Sequence, residues 1–236
     1  DLESMRHLVS WQTVLHEALT ENRLLLEFQP IRRVSSPDHT RMFEALARVR
    51  DRDGDMHSAA HFIDTAEYTG QIAELDKRVL ADILKVLADP LTQDCRIAMN
   101  VSGRSLGTPG FTEHFERELA AHRVDPKRLV FELTETAAIA EMARARNFIG
   151  DMKRLGYSFA LDDFGVGFSS FSYLKHLPVD MLKIDGAFVR HLASNREDQI
   201  FVRAIVQGAR ELGLETVAEC VETREVYDLL TDIGVD

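Results

Sequence analysis

Leu155-Gly156-Tyr157-Ser158-Phe159-Ala160-Leu161-Asp162-Asp163 contains the fold in miniature. The stretch from Met142 to Leu155 has helical periodicity and stops at Gly156, a residue suited to the left-handed cap of a helix end. Ser158–Leu161 follows as a short apolar, β-prone run that closes on two acids. The same unit recurs further on. A helical stretch from Ile200 to Leu212 stops at Gly213, and the β-rich run Glu215–Ala218 ends at Glu219. Working outward, further β-rich runs stand at Leu24–Pro30, Met42–Val49, Arg96–Val101, Leu129–Leu133 and Met181–Ile184, with a short eighth at Ile233-Gly234-Val235. Helical stretches run from Ile72 to Leu87 and from Phe111 to Leu119.

Strand–helix alternation over nearly the whole chain argues for a parallel sheet. Eight strand candidates in 236 residues favour a TIM (β/α)8 barrel over an open sheet. One connection breaks the rule. The segment between Pro30 and Met42 carries the turn residues Ser35-Ser36-Pro37-Asp38 and is too short for a helical crossover, so the first two strands should pair antiparallel. The expected fold is an α/β modified TIM barrel with an antiparallel first strand. Residues 1–20 read as an amphipathic helix with Met5, Leu8, Trp11, Leu15 and Leu19 on one stripe, either a cover for the barrel or the end of a linker. Residues 21–236 read as one domain, with no repeat or low-complexity tract inside it.

Composition narrows the function. Asp and Glu number 39 against 28 Lys and Arg, a formal charge of -11, which excludes the basic face a nucleic-acid polymer needs. No apolar run is long enough for a membrane span, and the first residues lack a basic-then-apolar leader pattern. Cys95 and Cys220 form neither a disulfide framework nor a zinc knuckle, which points to a reducing cytoplasm.

The acids are not scattered. Barrel active sites lie at the C-terminal ends of the strands. Glu44 interrupts the second apolar run, Asn100 ends the third, and Glu132 and Glu135 stand near the end of the fourth. Asp162 and Asp163 end the fifth, Lys183 and Asp185 the sixth and Glu219 the seventh, with Glu222 just beyond. Taken singly, such an acid is more often a helix cap or a solvated group, and Glu135 and Glu222 both stand where a cap would. Taken together, oxygen donors without histidine suit a hard cation such as Mg²⁺ or Mn²⁺. Adjacent Asp162 and Asp163 suit a pair of ions, one carboxylate bridging and the other binding one ion. The nine histidines show no HExxH pair or His-Asp dipeptide. Asp163-Phe164-Gly165 spells a kinase motif, but no other kinase element accompanies it.

These motifs resemble the EAL domain, the family of cyclic di-GMP phosphodiesterases. The resemblance rests on Phe28-Gln29-Pro30-Ile31, Glu44-Ala45-Leu46 with Arg48, Asn100-Val101-Ser102, Glu132-Leu133-Thr134-Glu135, Asp162-Asp163-Phe164-Gly165, Leu182-Lys183-Ile184-Asp185 and Ala218-Glu219-Cys220-Val221-Glu222, in that order. It implies that Glu44, Asn100, Glu132 and Asp162 hold one metal, and that Asp162, Asp163 and Glu219 hold a second. It further implies that Lys183 contacts the nucleophilic water, that Glu219 helps activate it, and that Glu44 belongs with them to the catalytic set. Gln29, Leu46, Arg48 and Asp185 match substrate contacts. Glu135, Phe164, Gly165 and the segment Asp163–Ser170 match the loop that organises the site, and Glu222 a supporting acid.

The implied reaction is metal-dependent hydrolysis of cyclic di-GMP to linear pGpG in bacterial signalling, by two-metal activation of water. The alternative is an inactive module that binds cyclic di-GMP and signals to a partner domain. The resemblance also implies a homodimer, an N-terminal regulatory or sensory domain, and a cytoplasmic location, alone or as the cytoplasmic part of a larger membrane-attached protein. The family's usual motif after the eighth strand would lie past Asp236, so the domain is expected to continue beyond it. Ala47, Val49, Val166, Phe168 and Cys220 depart from the family's usual residues; at Cys220 the usual glycine suggests a backbone that needs positive φ.

Overall fold

A computed structural model describes residues 2–38, 40–166 and 171–236, and side chains from Leu8 onward. Eight strands form one curled sheet: β1 Leu24–Ile31, β2 Met42–Arg50, β3 Met56–Ser58, β4 Arg96–Asn100, β5 Leu129–Thr134, β6 Ser158–Phe164, β7 Met181–Ile184 and β8 Glu215–Ala218. Their order is β1-β2-β4-β5-β6-β7-β8, with β3 beside β2. β1 and β2 pair antiparallel from Leu24↔Val49 to Ile31↔Met42, as the short connection requires, and every pair from β2–β4 to β7–β8 is parallel. The helices are α1 Leu2–Thr20, α2 Ile63–Thr69, α3 Ile72–Ala88, α4 Phe111–His122, α5 Glu135–Ala140, α6 Met142–Arg154, α7 Gly186–Val189, α8 Arg196–Glu211 and α9 Arg224–Ile233. The fold is the modified TIM barrel expected, with its antiparallel first strand.

The expected eighth strand at Ile233-Gly234-Val235 is a correction. Ile233 is the last residue of α9, and Gly234 is its left-handed cap (φ 93°), donating to the Leu230 carbonyl at 3.0 Å. Val226 and Leu230 bury one face of α9, and that packing outweighs the β preference of three residues. The eighth strand is instead β3, too short to stand out in the sequence. Among the described residues β8 and β1 do not pair. Asp236 links β8 to the segment that follows β1: its carbonyl accepts from the Val34 N–H at 2.9 Å, and its Oδ2 accepts from the Thr216 N–H at 2.9 Å. Arg33 and Glu215 add an ion pair at 3.0 Å.

The helix α1 is a cover. Leu15 and Ala18 are buried, and the Trp11 ring packs edge-on against His57 with centroids 4.9 Å apart. Alternation along the strands makes two cores. On the outer face Phe131 and Phe159 join Phe111, Phe115 and Phe148 from the helices, each fully buried ring contributing about 1.5–3 kcal/mol. On the inner face Ala98, Val130, Ala160 and Met181 form a small apolar floor with Ile31 and Met42. Asn100, Glu132, Asp162 and Lys183 stand two residues further along the same strands. They therefore share that inner face, one layer higher.

Candidate active site

That upper layer is polar and largely closed. Lys183, on β7, is 1% exposed. Its Nζ donates to Glu132 Oε2 at 2.9 Å, Asp162 Oδ2 at 3.0 Å and Glu44 Oε2 at 3.3 Å, and pairs with Glu219 Oε1 at 2.8 Å. Asn100 Nδ2 donates to Glu44 Oε1 at 2.8 Å. Five different strands, β2, β4, β5, β6 and β7, deliver these groups, and Glu219 follows a sixth, β8.

Asp163 should point away, because neighbours in a strand face opposite sides. A local irregularity changes that. The register of β6 against β7 shifts between Leu161 and Phe164, and Asp163 takes the left-handed conformation at φ 54°. Its N–H donates to Asp162 Oδ1 at 2.9 Å, and its carboxylate turns to the mouth beside Asp162. Two groups of oxygens result, Glu44–Glu132–Asp162 and Asp162–Asp163–Glu219, each with ligand atoms within 4.8 Å of one another and sharing Asp162.

The electrostatics call for cations. Burial alone favours a neutral amine at Lys183, but Glu132, Asp162, Glu44 and Glu219 together hold it above the ordinary lysine range, as an ammonium. Burial pushes Glu132 up to about 8, opposed by Lys183 and assisted by Glu44 and Asp162. Burial likewise pushes Glu219 up to about 7 and, with Asp162 and Asp185 adding repulsion, Asp163 up to about 6. Five carboxyl groups thus gather about one ammonium, and Glu132 Oε1 is buried with no hydrogen-bond partner. Divalent ions fit this donor set: all oxygen, surplus negative charge, and an orphaned carboxylate oxygen on the inner wall.

The supporting residues lie around this core. Glu135 is the buried first residue of α5; it does not cap the helix, since the Thr134 side chain does. Glu135 Oε2 accepts from the Gly165 N–H at 3.0 Å and Oε1 from the Tyr173 hydroxyl at 2.6 Å, tying down the start of the loop after β6. Phe164 is fully buried. Gly165 (φ 112°) lies so close to Phe188 that a Cβ would stand 2.8 Å from the ring. Gly167, Phe168, Ser169 and Ser170, the rest of the expected loop segment, lie outside the described residues.

The β1–β2 ribbon carries Gln29, directly opposite Glu44, and Leu46 and Arg48, which alternate with it on the same face. Arg48 Nε donates to Glu27 Oε2 at 2.8 Å. Asp185 caps α7, accepting from the Ala187 N–H at 2.6 Å, and stands beside Asp163. Glu222 is exposed beyond β8, and Thr223, not Glu222, caps α9. Cys220 has φ 54°, so the backbone there is left-handed.

The EAL domain family matches residues 12–236. The chain belongs to the EAL domain family. It is 39% identical over 238 residues to the cyclic di-GMP phosphodiesterase PdeB of Shewanella oneidensis, covering all of this chain and 28% of that protein. The structure of the FimX EAL domain from Pseudomonas aeruginosa bound to c-di-GMP superimposes with a TM-score of 0.88 at 28% identity, covering 95% of this chain and 91% of the other. The PaMucR phosphodiesterase in complex with c-di-GMP does so with a TM-score of 0.89 at 31% identity, covering 96% and 93%.

Three polar groups of this EAL domain escaped the sequence reading: Glu27, Tyr173 and Asp76. Glu27 and Tyr173 are partners of Arg48 and Glu135, and nothing local marks them. Asp76 did carry a signal, because it is an acid on the apolar face of α3 between Ile72, Leu75, Val79 and Leu80. Among the described residues no helix is long and apolar enough to cross a membrane.

Proposed function

We propose that this EAL domain is a Mg²⁺- or Mn²⁺-dependent phosphodiesterase that hydrolyses cyclic di-GMP to linear pGpG. One observation carries the reading: two oxygen triads sharing Asp162 converge on the Lys183 ammonium at one barrel mouth. The c-di-GMP-bound neighbours and the phosphodiesterase relatives support the substrate.

Glu44, Asn100, Glu132 and Asp162 would hold one ion, and Asp162, Asp163 and Glu219 the second. Such ions, when bound, supply an acidified water and offset charge building on the phosphoryl oxygens. Lys183 is protonated and ringed by acceptors, so it serves as a donor that orients the water and the phosphate, not as a base. Glu219 is the least buried of the four carboxylates about Lys183, at 26% exposure, and is the one best placed at the open mouth to take the water's proton. The water oxygen bonds to phosphorus as the bond from phosphorus to one ribose oxygen breaks; the water's proton passes to Glu219, and the leaving ribose oxygen takes a proton from solvent, which opens the ring. Gln29, Leu46, Arg48 and Asp185 contact the nucleotide at the rim; Glu135 and Glu222 support the site with Phe164 and Gly165.

We also infer that residues 21–236 form the domain proper, with α1 laid over it as a cover, and that a regulatory or sensory domain precedes them, since the chain spans 28% of PdeB. Homodimer formation and a cytoplasmic setting complete the proposal. The test is conversion of cyclic di-GMP with Mg²⁺ or Mn²⁺ and with EDTA, beside Glu44→Ala and Lys183→Met. Metal-dependent pGpG release lost in both variants supports it. Tight binding of cyclic di-GMP without turnover at saturating metal would replace the enzyme by a sensor.

A further inference from the structure

Asp76 is the buried acid that the proposed chemistry leaves unused. It lies on α3 at 5% exposure, among Ile72, Leu75, Val79 and Leu80. Burying a carboxyl there is costly unless hydrogen bonds compensate it, so its partners matter. Both lie on one short loop. Asp76 Oδ2 accepts from the Ser105 hydroxyl at 2.6 Å and from the Ser102 N–H at 3.1 Å. Glu67 of α2 grips the same loop, its Oε1 accepting from the Ser102 hydroxyl at 2.7 Å, with Arg104 3.5 Å from its other oxygen. Burial pushes Asp76 up to about 7, opposed by its hydrogen bonds from Ser105 and Ser102, and Glu67 adds repulsion.

The loop begins where β4 ends, at Asn100. Between Asn100 and Ser102 stands only Val101, which is buried and donates its N–H to the Glu132 carbonyl at 2.9 Å. The backbone just past Asn100 is therefore pinned on both sides, by the β5 ladder at Val101 and by Asp76 at Ser102. Gly103 makes the seat tight, since a Cβ there would meet Ala137 of α5 at 2.8 Å. Asn100 itself is exposed at the mouth and gives one amide hydrogen to Glu44. Its orientation therefore relies on this backbone more than on packing.

We propose that Asp76 is a positioning residue for the metal site, holding the Ser102–Ser105 loop so that the Asn100 amide stays aimed at Glu44 and the first metal position. The inference rests on the proposed function for the identity of the metal site, but its test does not require turnover. Mn²⁺ binding to the whole chain would be titrated by following free Mn²⁺ in solution, for the wild type, Asp76→Asn and the milder Ser105→Ala. Groups that support metal ligands are worth about 10–100-fold in affinity, and Asp76 acts through a backbone, so about three- to tenfold weaker Mn²⁺ binding is expected in Asp76→Asn and a smaller loss in Ser105→Ala.

In hydrolysis assays the Mn²⁺ needed for half-activation should rise by the same factor, while KM for cyclic di-GMP at saturating Mn²⁺ stays put. A lower Tm with unchanged Mn²⁺ affinity would overturn the proposal and leave Asp76 as a tie between α3 and the loop. If Asp76→Asn does not fold, Ser105→Ala decides alone: unchanged Mn²⁺ affinity overturns, weaker affinity supports. Weakened Mn²⁺ binding in a wild-type background that makes no pGpG would sink the enzyme reading and leave this inference standing.

Discussion

Replacing Glu132 by Gln separates what its carboxylate costs the fold from what it offers a metal. The side chain is 1% exposed, accepts from Lys183 at 2.9 Å, and leaves Oε1 unpartnered. Burial raises its pKa most; Lys183 opposes the rise, Glu44 and Asp162 add to it, and the carboxyl ends at about 8, from 4.5. A carboxyl whose folded-state pKa is raised holds its proton better folded than unfolded. Its stabilising contribution is full below the unfolded value of 4.5 and is lost as pH climbs toward about 8. At about 1.4 kcal/mol for each pH unit crossed, that interval is worth at most about 5 kcal/mol, of which about 2–4 kcal/mol falls between pH 5 and pH 8.

Gln has no proton to lose. In EDTA, E132Q should therefore lose about 2–4 kcal/mol less than the wild type between pH 5 and pH 8, at about 2–4 °C in Tm for each kcal/mol. With divalent ion present the order reverses. A ligand at a hundred times its Kd stabilises the wild type by about 2.7 kcal/mol, most of which E132Q should forgo. Urea unfolding followed by circular dichroism at pH 5, 6, 7 and 8, with EDTA and with Mn²⁺, reads both effects. An E132Q protein that tracks the wild-type pH dependence in EDTA and gains as much from Mn²⁺ would refute the placement of Glu132 as a desolvated metal-facing carboxylate.

Tyr173→Phe deletes the hydroxyl that binds Glu135 Oε1, leaving the Gly165 contact in place. Turnover should fall about three- to tenfold with Tm lowered by only a few degrees, a loss of about 1 kcal/mol for one hydrogen bond, checked by initial rates beside a thermal melt. Cys220→Gly relieves a side chain at φ 54° but gives up the contact of Sγ with Arg190 Nη2 at 3.1 Å. We expect a net gain of up to about 1 kcal/mol in urea unfolding, because glycine adopts that backbone without strain.

Much of this site was legible before any coordinates. Strand period two and glycine-capped helices locate the strand ends, and an acid or amide at each of six ends is a pattern that packing alone does not produce. Other features left little trace in sequence. The Asp162–Asp163 pair shows two acids, but only the shifted register and left-handed Asp163 turn both to one side. Glu135 and Glu222 stood alike as cap candidates. The structure buries Glu135 under Tyr173 and Gly165 and leaves Glu222 in solvent, with neighbouring threonines capping both helices.

What the sequence determined by itself is local and periodic: seven of the eight strands and where they end, that the first pair runs antiparallel, and which donor types sit at the mouth. Those follow from short-range sterics and from side-chain alternation, which each segment carries within itself. Only the tertiary structure decided that Ile233–Val235 finishes a helix, that α1 is a cover, and that Lys183 stands within 3.3 Å of four carboxylates. Those depend on sheet curvature and burial, which arise between segments far apart in the chain. A carboxylate's charge, and so its use to a cation, is set by the neighbours that such folding brings to it.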